Sequence, residues 1–170
     1  MKTSTHLSAV LAATLSVAVQ AQTPPPAPGC NSEESKRLDF WVGNWEATHS
    51  GGKSSNRITK VLGGCVVLEE FRGMPGTNLD GMSVSTFDPA TKRWRQTWVD
   101  NTGAYLDFNA ATVDGSMAFE RSLEKDGKRI RQRMVFRDVK ADSFQWDWQR
   151  SDDDGANWKT TWQIAYKRAK

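Results

Sequence analysis

Residues 105–138 read YLDFNAATVDGSMAFERSLEKDGKRIRQRMVFRD. Apolar and polar residues alternate there in three runs, Tyr105–Val113, Met117–Lys125 and Lys128–Asp138, separated by Asp114-Gly115 and Asp126-Gly127. Period-two alternation marks a strand with one buried face, and Asp-Gly between two such runs signals a hairpin because both residues tolerate positive φ. Working outward, the same pattern predicts strands at Arg93–Asp100, Gly81–Asp88, Cys65–Phe71, Ser54–Leu62 and Trp45–Ser50. Downstream it predicts Ser143–Arg150 and Trp158–Lys167. Gly51-Gly52, Gly63-Gly64, Asp88-Pro89 and Asn101-Thr102-Gly103 supply intervening turns. Ten short strands joined by tight turns predict an all-β, antiparallel up-and-down barrel, since closure removes the exposed edges of so long a meander. A two-sheet sandwich is the alternative.

The chain ahead of these strands has a different composition. Lys2, the apolar stretch Leu7–Val19 and the small residue Ala21 fit a signal peptide over residues 1–21, which predicts export to the periplasm or beyond. Residues 22–30 form a proline-rich lead, and residues 31–170 a single domain. Asn31 and Glu34 have capping-box spacing and predict a short helix before the first strand.

Composition removes several function classes. A net charge of +3 provides no electrostatic footprint for nucleic acid, and no later run is apolar for long enough to insert in a membrane. His49 is the one histidine after the signal segment, so neither a multi-histidine metal site nor a cofactor is expected. The two cysteines of an exported chain are expected to form a Cys30–Cys65 disulfide. The anomaly is eight tryptophans.

Alternation assigns many of these to the interior. Trp94, Gln96 and Trp98 share one face of their strand, as do Ile130, Gln132, Met134 and Phe136. Phe144, Trp146 and Trp148 share another, Met117, Phe119, Arg121 and Leu123 a fourth, and Cys65, Val67, Glu69 and Phe71 a fifth. Trp158, Thr160, Trp162, Ile164 and Tyr166 share parity in the last strand. Apolar walls with a few polar anchors are what small-molecule pockets show. Trp94, Trp98, Phe119, Met134, Trp146 and Trp148 are therefore expected to line a cavity for a small hydrophobic or aromatic molecule. Glu69, Gln96, Arg121 and Gln132 would orient it; alternatively Glu69 and Arg121 satisfy each other. No spacing selects a catalytic pair. Glu69 as a general base is the enzymatic alternative, and a core filled by tryptophan the structural one. The stripe Arg129, Arg131, Arg133 and Arg137 is expected on the outer face, paired with Glu120 and Glu124.

Residues 151–158, SDDDGANW, resemble the Asp box, a hairpin turn in which the residues at Asp153 and Gly155 shape the turn and the aromatic at Trp158 packs beneath it. Gly43-Asn44-Trp45, after a short helical turn, resembles the start of a lipocalin. That resemblance implies that Trp45 closes one barrel end, packed by Arg168 or Lys167 of the last strand. A wider set of segments occurs in order: DFWVGNW at 39–45, LGGC at 62–65 with Glu69, DGMS at 80–83, WRQTWVD at 94–100 and the turn at 151–158. Together they resemble a family of secreted bacterial proteins of unknown function with a lipocalin-like (calycin) barrel. The resemblance implies fold, export and a ligand cavity, but no reaction.

Overall fold

The computed structural model describes residues 30–170. The expected signal peptide, and the proline-rich lead up to Gly29, lie outside the described residues. Ten strands follow in order: β1 (Gly43–His49), β2 (Gly52–Val61), β3 (Val66–Arg72), β4 (Asp80–Asp88) and β5 (Arg93–Asp100). Then come β6 (Tyr105–Val113), β7 (Ser116–Lys125), β8 (Lys128–Arg137), β9 (Ser143–Ser151) and β10 (Lys159–Arg168). Each pairs antiparallel with its neighbours in the chain, and β1 pairs with β10 to close an up-and-down barrel. The architecture read from alternation is the one observed, and the sandwich is not. Asp114, Gly115, Asp126 and Gly127 all have positive φ, which is why Asp-Gly serves at both hairpins.

The strands run alternately between two rims, and the N-terminal segment seals one of them. The short helix is two 3₁₀ turns, Glu34–Lys36 and Asp39–Trp41. The backbone N–H of Ser35 is satisfied by Ser32 Oγ at 3.2 Å, so Ser32 does the work expected of Asn31. Leu38 and Trp41 plunge into the barrel, and Trp45 Nε1 donates to the Trp41 carbonyl at 2.7 Å. The Arg168 guanidinium lies 4.2 Å over the Trp45 ring and donates to the carbonyls of Val42 and Ala141. Phe40, Phe136, Phe144 and Tyr166 fill this end edge to face or stacked. Cys30 and Cys65 are joined, tying the start of the segment to the turn before β3. A disulfide points to an oxidising, extracellular or periplasmic environment.

Three departures from simple alternation shape the rest. First, β10 carries a bulge between Thr160 and Trp162. One extra residue flips the following side chains to the other face. Trp162 therefore points inward opposite Trp148, whereas Thr160 pairs with Gln149 and bonds it on the outer face. Trp158 also lies outside, under the Arg133 guanidinium at 3.8 Å, so Trp158 and Thr160 do not share the face of Trp162. Second, β6 pairs with β7 only over Asn109–Val113, and above Asn109 the two strands part. Third, the outer face is partly covered. Asp147 is buried there, accepting from Arg137 Nε at 2.9 Å and Gln163 Nε2 at 2.8 Å. Arg131 pairs with Glu120 and Arg129 with Glu124, as expected, while Arg133 and Arg137 serve Gln149 and Asp147 instead.

The cysteines are separated by 35 residues. Chain-entropy arguments for a loop of this length give about 3–4 kcal/mol. Urea unfolding under reducing conditions is expected to show a loss of that size relative to the oxidised protein; an unchanged midpoint would contradict it.

Candidate functional site

On β2 to β5 a band of inward positions is small or polar, set among the apolar Ile58, Val67, Phe71, Trp94 and Trp98. Ser54 and Asn56 face in from β2, Glu69 from β3, Ser83 and Ser85 from β4 and Gln96 from β5, and all are buried. Register joins them. Glu69 sits directly across from Ser83, whose Oγ donates to Glu69 Oε2 at 2.7 Å. Asn56 lies opposite Phe71, one inward step from Glu69, and its Nδ2 reaches diagonally to Glu69 Oε1 at 2.7 Å. Gln96 faces Ser85 and donates to its Oγ at 2.8 Å. Across the barrel, β8 to β10 present Met134, Trp146, Trp148, Trp162 and Ile164. Tyr166 bridges the two halves, its hydroxyl 3.4 Å from Asn56 Nδ2. Burial, then the Glu69 charge, pushes the Tyr166 phenol far above its ordinary range.

Between the polar strip and the aromatic wall lies a cavity of about 240 Å³. Trp41, from the sealed end, forms part of its floor. Phe71, Trp98, Leu79 and Leu106 stand toward the opposite rim with Asp100. Trp98 lies flat over Gly81, where a Cβ would meet its ring at 2.1 Å, and its Nε1 donates to Asp100 Oδ2 at 2.8 Å. Burial raises the Asp100 carboxyl, but bonds from Thr102, Trp98 and Ala104 outweigh it and leave the group below its usual value. His49 Nδ1 accepts the Gly51 N–H at 3.2 Å, its Nε2 lies 2.9 Å from Ser54 Oγ, and its ring stands edge-on to Trp162.

Of the residues expected to surround a ligand, the structure brings six to this cavity: Glu69, Gln96, Trp98, Met134, Trp146 and Trp148. Four lie elsewhere. Trp94 is at the sealed end, its Nε1 bonded to the Glu34 carbonyl, and Phe119 is fully buried core. Arg121 keeps the parity of Phe119 but sits beyond the last β6–β7 pair, on a separate polar groove with Asn109, Glu120 and Arg131. Gln132, its partner on β8, is half-buried and outside the cavity lining. Glu69 is thus held by Asn56 and Ser83, and not by Arg121.

The turn at 151–158 is built by its own side chains. Asp153 accepts from Ser151 Oγ at 2.6 Å and from the backbone and side chain of Asn157, which hold its carboxyl down at about 2. Ser151 Oγ also accepts the Gly155 N–H at 2.8 Å.

A family model described as "Protein of unknown function (DUF1579)" matches residues 31–168, nearly the whole barrel. The chain belongs to this family. A comparison with curated proteins finds no match.

In this DUF1579 barrel, several cavity residues carried a readable signal. Phe71, Trp162, Ile164 and Tyr166 have inward parity alongside residues already singled out. Asn56 does not stand out because both faces of β2 are polar around it, and Ser83 and Ser85 do not because β4 alternates in the opposite sense, with Met82 and Val84 outward and exposed. Phe108, which stands edge-on to Trp148, shares the parity of Leu106 and alternates with the polar Asp107 and Asn109, so the same signal marks it.

Two outcomes follow from this geometry. Burial pushes the Glu69 carboxyl above its ordinary 4.5, against the lowering effect of Ser83 and Asn56. A carboxyl raised by folding stabilises the native state while protonated, below 4.5, and that contribution is lost as pH rises through its native value. Glu69→Gln stays neutral, so its stability relative to the unsubstituted protein is expected to increase from about pH 4 to about pH 8 in urea titrations. A pH-independent difference would contradict this. Gly81→Ala is expected to drive the Trp98 ring off the strand and cost about 1–3 kcal/mol in the same assay; a neutral effect would show that the ring does not lie there.

Proposed function

We propose that this protein is an exported binding protein for a small apolar or aromatic molecule, held in the barrel cavity. The observation that carries the reading is the unfilled interior: about 240 Å³ bounded by aromatic rings on one side and a hydrogen-bonding strip on the other. A core filled by tryptophan would leave no such space. Trp98, Trp146, Trp148 and Met134 form the apolar contact together with Phe71 and Trp162, and Glu69 and Gln96 orient the ligand. Export is supported by the charged start, apolar stretch and small residue at 21, and agrees with the disulfide.

A second reading has one observation behind it. Glu69 faces the cavity with its affinity for a proton raised by burial, the condition that suits a general base. Turnover that disappears in Glu69→Gln would favour it over simple binding.

Titrating intrinsic tryptophan fluorescence with a panel of small aromatic and aliphatic molecules tests the binding reading. Saturable change with at least one compound, weakened in Trp162→Ala, is expected. No response to any compound, together with an experimental structure whose interior is filled, would overturn it.

A further inference from the structure

Buried carboxylates are ordinarily matched by a cation, because hydrogen bonds from neutral groups repay only part of the hydration they lose. Glu69 is not matched. Its side-chain partners are Asn56 and Ser83, both neutral, and no lysine, arginine or histidine contacts it among the described residues. The rest of the cavity has the same sign. Among the described residues Asp100 is the other carboxylic acid of the lining, which contains no lysine, arginine or histidine.

The aromatic wall adds to this field. Trp162 stands perpendicular to Trp146 at 5.8 Å and to Phe71 at 6.1 Å, so ring faces and edges meet at right angles around the space. Aromatic faces carry the negative side of the ring quadrupole, and such boxes hold ammonium groups. Hydrogen-bonding capacity is also left over. Gln96 Oε1 and Asn56 Oδ1 are buried acceptors without a partner; among the described residues Trp41 Nε1 is the single buried side-chain donor in that state. A carboxylate, free amide oxygens and π faces all attract one kind of group, a positive charge bearing hydrogen-bond donors.

We infer that the cavity takes a small organic cation, an ammonium group on an apolar or aromatic body, whose nitrogen supplies the counter-ion that Glu69 lacks. This rests on the reading of the cavity as a ligand site and names its ligand class. The body lies against Trp146 and Trp162, and the ammonium faces the strip from β2 to β5. Trp41 Nε1 remains to donate to an oxygen on the same molecule. Anionic ligands of equal size are excluded by the same field.

Calorimetric titration with three probes that share a ring and differ in the head group tests the inference: 2-phenylethylammonium, 2-phenylethanol and phenylacetate. The ammonium is expected to bind at least about tenfold tighter than the alcohol, and the carboxylate most weakly. Glu69→Gln is expected to lose the preference for the ammonium over the alcohol. An alcohol that binds as tightly as the ammonium to the unsubstituted protein would overturn the inference and leave the ligand site standing, whatever the variant does. An ammonium preference that survives in Glu69→Gln would equally overturn it. Binding of none of the three would overturn the inference, and the binding reading falls with it only where the fluorescence panel is also silent and the interior is filled.

Discussion

Ten strands closed into a barrel enclose an interior wider than facing side chains span, and the rest of this structure answers to that width. At one end the chain fills it from outside the sheet. The segment before β1 drops Leu38 and Trp41 into the opening, and Trp45 and Arg168 bolt that segment to the last strand. The phenylalanines of β8 and β9 complete the seal. At the other end no comparable plug is inserted among the described residues, and the width persists as a cavity.

The two walls of that cavity differ because the inward residues of neighbouring strands differ. β2, β3, β4 and β5 place Asn56, Glu69, Ser83, Ser85 and Gln96 among their inward positions, and these bond one another across the ladder. β8, β9 and β10 face the cavity with Met134, Trp146, Trp148, Trp162, Ile164 and Tyr166. Putting a carboxylate at the centre of the first wall costs desolvation, and the protein offers it neutral hydrogen bonds in place of a cation. A merely structural core gains nothing from such an arrangement, since apolar residues of like volume would serve as well or better.

Much of the fold was legible because its signals are local. Asp114-Gly115 and Asp126-Gly127 state the hairpins directly, and alternation in β5, β7, β8 and β9 states the faces. About half of the site was legible by the same route: Glu69, Trp98, Trp146 and Trp148 follow from parity alone. Parity cannot report depth, and so Trp94 and Phe119 face inward yet belong to the sealed end. Nor can it report pairing, and Arg121 drops out because β6 leaves β7 at Asn109. The bulge after Thr160 inverted the expected side for Trp158 while putting Trp162 in the aromatic wall. Asn56 was hidden by the polarity of its neighbours on β2, although it holds one oxygen of the central carboxylate.

On the proposed reading, the half-open barrel holds a molecule between its aromatic wall and Glu69. A crystal structure of the protein grown with 2-phenylethylammonium tests it most directly. Density is expected inside the barrel, with the ring against Trp146 and Trp162 and the nitrogen within hydrogen-bonding distance of Glu69. Density confined to the outer surface, with side chains closing the space beside Glu69, would contradict it.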